Sequence, residues 1–491
     1  MTPQSAFMVH AHVAPEKRAK LDALLESMNQ PGTPGSADPM NARVPFGDFD
    51  TIHFARFVII EDKTLGDFED WKLKPPAPWV TLAFHGDCDG SADDLLAALS
   101  EHGTAAKGLR EIFECCVGFE ESTDLLAWMR EHFVRPRANY SNWMGRTVHQ
   151  IRKEAALRTR LQGELATYVQ EHPDAGDRLP QLRQYMLDFA ERHELLPAKP
   201  STPIGWAIRN AVHYASLPIP LVLAWLLMVP ALLWCPWLMV IVVAPFAGIA
   251  IVTFLWLIEL APFTFAFLAG LGVMLVPVIL LCPPLLVLLV IFFIVLRRYE
   301  KSEPNIVPPP TDTHDLALAK REDHNVTNQY SVASCVKPSA FRRWLFAVIL
   351  WFTDYGSRHL YNRGYLARIQ TIHFARWDWF DGGRRAFFAS NYDGSHQAYM
   401  DDFINKVGWG LNIVFSHGFG YPRTNWLVLD GASDEQRFKD ANRRHQIQTQ
   451  TWYNAYPGLT ALDLARNTRI RKGLERWWMR KSAIRAWLRD L

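Results

Sequence analysis

Charge is almost missing from one long stretch of this 491-residue chain: between residues 210 and 296 the single charged side chain is Glu259. That excludes a solvated linker there. Cysteine is sparse too, with six in all: Cys88, Cys115, Cys116, Cys235, Cys282 and Cys335. No CxxC pair and no Cys/His spacing suited to zinc occurs, so a zinc module has no basis. A reducing, cytoplasmic surrounding for the polar parts is the simplest reading. No P-loop, GxGxxG, HExxH, GxSxG or EF-hand pattern appears, which removes ATPase, dinucleotide-enzyme, zinc-protease and serine-hydrolase readings. A net charge of +2 with mixed signs gives no footprint for nucleic acid. Residues 1–30 lack the charged start and apolar core of a secretory leader.

What is present is first an apolar block, Leu217 to Leu296. A bilayer-spanning helix needs roughly 20 apolar residues, so the block predicts up to about four spans, cut at its prolines: 217–235, 237–258, 263–281 and a short 284–296. Lys199 and Arg209 precede it, and Arg297, Arg298 and Lys301 follow. Positive flanks favour the cytoplasmic side. Both ends are positive, which predicts an even number of crossings, two or four. The expectation is a multi-pass protein of the cell inner membrane with both soluble domains on the cytoplasmic side. Glu259 is read as a loop residue at the far face rather than an intramembrane site.

The second feature is an internal repeat. Residues 51–56 and 371–376 both read Thr-Ile-His-Phe-Ala-Arg. The match extends in order on both sides. Ala11-His12-Val13-Ala14-Pro15 corresponds to Ser334-Cys335-Val336-Lys337-Pro338, and the segment 84–91 corresponds to 388–395, sharing Asp-Gly-Ser at its end. Gly108-Leu109 then corresponds to Gly410-Leu411.

Each copy reads as strand, helix, strand, strand, helix, strand, the ferredoxin-like split βαβ order. In the first copy the strands are Phe7–Val13, Ile52–Ile60, Trp79–Phe84 and a return near Cys116–Phe119, with an amphipathic helix from Pro15 to Met28 and a second helix capped by Ser91. In the second they are Gln329–Val336, Thr371–Phe380, Arg385–Ser390 and Asn412–Ser416, with helices from Pro338 and from Ser395 to Val407. The predicted fold class is α+β: two ferredoxin-like units forming an intrachain α+β barrel, plus a helical transmembrane block. The predicted organisation is a first unit over 1–165, a helical linker over 166–209, transmembrane helices over 210–298, a linker over 299–326, a second unit over 327–475 and a basic, Trp-rich C-terminal helix over 476–491.

The second copy, through Val336-Lys337-Pro338, Thr371–Trp377, Ser390–Ser395, Tyr399–Phe403, Gly420–Thr424 and Ala455-Tyr456-Pro457, resembles an uncharacterised bacterial membrane protein family with paired ferredoxin-like units. More distantly the pair resembles the dimeric α+β barrel superfamily, which includes dye-decolorising peroxidases and chlorite dismutases. That resemblance implies haem as cofactor and a distal GxxDG motif. The first copy spells it as Gly86-Asp87-Cys88-Asp89-Gly90; the second has Ser390 in place of the leading glycine.

On a strand, positions i and i+3 face opposite ways, so His373 and Arg376 do not share a pocket without a bulge. His373 is read either as a haem ligand or as a buried histidine tying strands together, with Arg376 as its cofactor-side partner. Asp393 is read as a distal acid or as plain turn and capping chemistry. Repetition of these residues in the first copy, as His53, Arg56 and Asp89, favours structure. His417 and Arg423 lack counterparts in the first copy and are therefore the stronger catalytic or cofactor-binding candidates, with Gly418 and Gly420 permitting close backbone approach. Trp477, Trp478 and Arg480 in the basic tail are read as a membrane-interface patch.

These readings converge on a membrane-anchored, peroxidase-like oxidoreductase using haem, or a hydrophobic small-molecule ligand, in the barrel. The alternatives are a non-catalytic membrane module that binds lipid or assembles a homo-oligomer, and a transporter or channel. The expected partners are the lipid bilayer and a hydrophobic ligand, with no nucleic acid.

Overall fold

The computed structural model describes residues 2–61, 68, 71–74, 80–198, 201–232, 248–249, 251–252, 255, 265–272 and 283–491. In chain order the elements are β1 (Gln4–His12), α1 (Arg18–Glu26), β2 (Gly35–Ser36), β3 (Ile52–Ile60), β4 (Thr81–Asp89), α2 (Ala92–Glu101), α3 (Gly103–Phe113), α4 (Leu125–Glu131), β5 (Ala138–Ser141), α5 (Val148–Glu171), α6 (Leu179–Arg192), α7 (Ile204–Ala215) and α8 (Pro218–Leu232). There follow α9 (Pro283–Ser302), α10 (Asp312–Ala319), β6 (Thr327–Cys335), α11 (Ala340–His359), β7 (Ile372–Phe380), β8 (Arg385–Asp393), α12 (His396–Phe415), β9 (Thr424–Asn425), β10 (Leu429–Asp430), α13 (Glu435–His445), β11 (Thr449–Asn454), α14 (Ala461–Glu475) and α15 (Lys481–Leu488).

Two sheets carry the repeat. One runs β1-β4-β3-β11-β2 and the other β6-β8-β7-β5. The first three strands of each sheet come from one copy, and the fourth is lent by the other. Thus β11, from the C-terminal part, pairs antiparallel with β3, and β5, from the N-terminal part, pairs antiparallel with β7. The return strands expected within each copy are not formed. Cys116 makes only an isolated bridge to Val13. Residues 412–415 are the last turn of α12, which kinks at Val407 (φ −142°) and then resumes as helix instead of turning into a strand. Because a fourth strand of either sheet comes from hundreds of residues away, the two copies are not independent domains. They meet in an apolar layer built from Met8, Val58, Ile60, Ala83, Ala333, Phe380, Phe387 and Ala389.

Local chemistry explains the remaining elements. Ser91, Thr147, Thr311, Ser339, Ser395 and Thr460 each accept a backbone N–H of the first turn of the following helix, as N-caps do. Helices α5, α6, α14 and α15 form a separate bundle around Leu157, Leu161, Leu182, Met186, Ile470, Leu474, Ile484 and Trp487.

The transmembrane expectation for 210–298 is overturned: among the described residues no helix is long and apolar enough to cross a membrane. In α9 the apolar run 283–296 advances only about 21 Å at 1.5 Å per residue, against a hydrocarbon core of about 30 Å. Arg297, Arg298, Glu300 and Lys301 follow at once, and Glu300 is buried against the β9–β10 loop. Of the cut 217–235, the residues Pro218–Leu232 form α8. A multi-pass inner-membrane placement with cytoplasmic domains therefore loses its structural basis. Glu259, most of the cuts 237–258 and 263–281, Cys235 and Cys282 lie outside the described residues.

Candidate functional site

The Thr-Ile-His-Phe-Ala-Arg pair is built the same way twice. In both copies the strand is bulged at the histidine: pairing with the neighbouring strand shifts between Ile52 and Phe54, and between Ile372 and Phe374. The bulged carbonyl accepts an N–H from the lent strand's exit, Ala455 N to His53 O at 3.0 Å and Asn142 N to His373 O at 2.9 Å. Each ring then meets the aspartate that ends the next strand, His53 Nε2 to Asp89 Oδ1 at 3.0 Å and His373 Nε2 to Asp393 Oδ1 at 2.7 Å. The second carboxylate oxygen accepts the first helical N–H of the helix beyond the lent strand, Val148 N at 2.8 Å for Asp89 and Ala461 N at 2.7 Å for Asp393. A carboxylate at a helix N-terminus is favoured by the dipole and satisfies an orphan donor. Asp393 and His373 thus clamp helix to sheet.

The arginines face the other way, into the layer between the sheets. Arg56 donates to Gln329 Oε1 at 3.2 Å, Tyr330 O at 3.1 Å, Ser331 Oγ at 3.1 Å, Ser390 O at 3.1 Å and Asn391 Oδ1. Arg376 donates to Phe7 O and chelates Asp378 at 2.7 and 2.9 Å. His85 and Asp87 complete this buried polar cluster. Burial pushes the Arg56 guanidinium down to about 9 and the Asp87 carboxyl up to about 6, and the nearby arginines oppose the latter. Burial also raises Asp378 and lowers His85.

This arrangement does not suit haem. His373 spends its Nε2 on Asp393 and lies edge-on to Phe54 and beside Tyr456. His417 is fully enclosed and stacked on Phe346 with ring centroids 5.3 Å apart. The cavity beside the second sheet, lined by Ser334, Phe346, Trp377, Phe388 and Tyr421, measures about 60 Å³, far too small for a porphyrin. The Gly86-to-Gly90 segment is strand and turn: a Cβ at Gly86 would stand 2.0 Å from the Phe54 carbonyl oxygen, so close backbone approach requires this glycine.

The residues that differ between copies do come together. Lys337 N donates to His417 O at 2.9 Å, and in the first copy Ala14 N donates to Cys115 O at 2.9 Å. Lys337 and His417 thus stand where Ala14 and Cys115 stand in the other unit. Lys337 Nζ donates to Glu303 Oε2 at 2.9 Å. Arg342 holds the same carboxylate two-pronged, at 2.8 and 2.7 Å. Lys337 is 6% exposed, Glu303 8% and Arg342 1%. Lys337 and Glu303 floor a cleft of about 480 Å³ whose walls include Trp71, Lys72, Tyr299, Ser302 and Ser339, with Arg342 buried behind Glu303. The Lys337 ammonium lies 5.6 Å from the Trp71 ring centre, within cation–π range.

Electrostatics mark this cleft. Burial pushes the Lys337 amine down to about 8, Arg342 helps, and Glu303 opposes both. Burial alone would raise Glu303, but Lys337 and Arg342 outweigh it and hold the carboxyl below its usual range. His417 lies behind the floor. Burial, then Arg342 and Lys337, keep its ring neutral. Arg423 lies on the far side of the Glu303–Asn305 segment, donating to Glu303 O at 2.7 Å, and lines a second cavity of about 450 Å³ with Arg297 and Arg437. Of the expected site residues, His417 and Arg423 therefore flank Lys337 and Glu303, whereas His373, Arg376 and Asp393 belong to the sheets.

Trp477, Trp478 and Arg480 lie in the connector between α14 and α15, not on a helix, with Trp477 95% exposed. The tail is docked rather than free: Trp487 is buried and its Nε1 donates to Ile470 O at 2.9 Å. Sequence reasoning missed Lys337, Glu303 and Arg342 as a site. The available signal was the alignment of Ala14-Pro15 with Lys337-Pro338. It also missed that Tyr140–Thr147 repeats Tyr453–Thr460, with the aromatic at 143 and 456, the positive-φ glycine at 145 and 458, and the capping threonine in register.

Compared with known proteins, the chain matches no family model, no curated protein and no solved structure.

Proposed function

We propose that the chain is a small-ligand-binding protein whose duplicated sheets form the scaffold and whose one working site is the Lys337 cleft. The ligand class is a compact molecule joining an anionic group to a flat apolar body. One observation carries this: the two copies, alike in their His–Asp clamps and crossing arginines, differ where Lys337 and His417 replace Ala14 and Cys115, and a cleft of about 480 Å³ opens at that place. Lys337 and Lys72 against Glu303 leave the cleft lining net positive, and the buried Arg342 behind Glu303 adds to this. The first turn of the 20-residue helix α11 begins at its rim with Ser339, and a helix N-terminus adds to anion attraction. Trp71 and Tyr299 supply flat apolar walls.

Calorimetric titration with benzoate and with phenyl phosphate tests the reading, with inorganic phosphate as the source of bare charge. Saturable binding of an aromatic anion, weakened at least about tenfold in Lys337→Met, is expected. Absence of saturable binding for both aromatic anions, or equal affinity in the variant, would sink it.

A further inference from the structure

The Lys337 amine has company that a simple ion pair does not need. Lysine is seldom fully buried, and when it is, it is paired. Here Lys337 is withdrawn to the floor of a cleft large enough for a small molecule, beside a second cation, Arg342, and 2.9 Å from the Glu303 carboxylate. A neighbouring cation and removal of water are the two conditions that free a lysine nitrogen lone pair near neutral pH. Glu303 stays held by Arg342 through two hydrogen bonds, so it is in place whether or not Lys337 carries a proton.

We infer that Lys337 forms an imine with the carbonyl of a small oxo acid bound in this cleft. This inference rests on the ligand-binding reading above and sharpens its ligand class to compounds that carry both a carbonyl and an anionic group. The step balances within the chain. Lys337 Nζ passes a proton to Glu303 Oε2, and its lone pair attacks the carbonyl carbon. The C–N bond forms as the C=O π pair moves to oxygen, which takes up the proton. The carbinolamine nitrogen then returns a second proton to Glu303, which passes it to the hydroxyl. The hydroxyl leaves as water as the nitrogen lone pair closes the C=N bond, and the imine nitrogen keeps the last proton. No oxidant or reductant is consumed. The burial that moves the amine down to about 8 leaves a sizeable neutral fraction at pH 7.5, whereas an ordinary lysine near 10.4 is almost wholly protonated.

The test uses the full-length chain with phenylglyoxylate and sodium cyanoborohydride, which reduces an imine to a stable secondary amine. Mass spectrometry of the intact protein and of its peptides reads the adduct, and calorimetry without reductant reads binding. Labelling of Lys337 at pH 7.5 at least about tenfold faster than of any other lysine, absent in Lys337→Arg, is expected. The arginine variant keeps a cation on Glu303, and its thermal midpoint verifies that it folds. Saturable binding with no adduct on Lys337, or labelling spread evenly over the lysines, overturns the imine while leaving the binding reading intact. Neither binding nor adduct overturns both.

Discussion

Arg56 of the first copy donates to the carbonyl of Tyr330 in the second at 3.1 Å, and Arg376 of the second donates to the carbonyl of Phe7, the residue standing in Tyr330's place in the first. The last residue of the repeated hexapeptide is thus a reciprocal tie between the sheets. Its preceding histidine works on the opposite face, in the clamp with Asp89 or Asp393.

Replacing Arg56 with methionine leaves the Gln329, Tyr330, Ser331, Ser390 and Asn391 acceptors without this buried donor. A buried network broken on one side costs about 3–5 kcal/mol. Lysine does not restore it, because one ammonium cannot reproduce the planar fork. Equilibrium urea unfolding of wild type, Arg56→Met and Arg56→Lys measures the loss. A change under about 1 kcal/mol in either variant contradicts the tie.

Asp87 gives the fold a pH dependence of known sign. Its carboxyl is raised from 3.8 to about 6 by burial, against the pull of Arg376, Arg56 and His53, with Asp378 adding to the rise. A raised carboxyl makes the folded state bind more protons than the unfolded state. Its contribution is full below about 4 and is lost as pH rises through about 6. Asp87→Asn removes the titrating group and places there the residue the second copy uses, Asn391. The variant should show a shallower fall in unfolding free energy between pH 4 and 7, with a gain over wild type of about 3 kcal/mol at pH 7. Parallel slopes for the two proteins would refute the assignment.

Asp393→Ala removes an acceptor from His373, from Ala461 N and from Thr327 Oγ1, the last at 3.1 Å. The loss of a helix cap and of a buried hydrogen-bonded partner costs about 2–4 kcal/mol. Asp89→Ala removes the matching clamp and should cost a similar amount. Thermal unfolding compares the two. Hydrogen exchange should speed up at the start of α14 in the first variant and of α5 in the second. If Asp393→Ala leaves stability unchanged, the clamp is not its role.

Several elements were legible in the sequence. Alternation and β-branched content located β3 and β7 to within a residue and the start of β8, which runs three residues past the expected Ser390, and cap chemistry located the helices after Ser91 and Ser395. The lent strands were not legible. Ala138–Ser141 is too short for a period to show, and Thr449–Asn454 is recognisable only by its pairing with β3, far earlier in the chain. Asn412–Ser416 read as a strand because the split βαβ order calls for a fourth one there, yet the chain resumes helical hydrogen bonding beyond the kink at Val407. The apolar block read as membrane spans because length and composition alone set that expectation, whereas among the described residues no helix is long and apolar enough to cross a membrane.

The amino-acid order alone determined that this protein is a duplication, because six identical residues with matching flanks do not depend on how the chain folds. It also determined where turns and helix starts fall, since glycine, serine and threonine act on their own backbone neighbours. Only the tertiary structure decided what the duplicated residues do. The His–Asp clamps and the Arg56 and Arg376 ties join groups separated by tens to hundreds of residues, and burial, which sets the protonation of Asp87 and Lys337, exists only once the layers have closed. The same holds for the cleft: Trp71, Tyr299, Glu303 and Lys337 share no sequence signature, and only packing makes them neighbours.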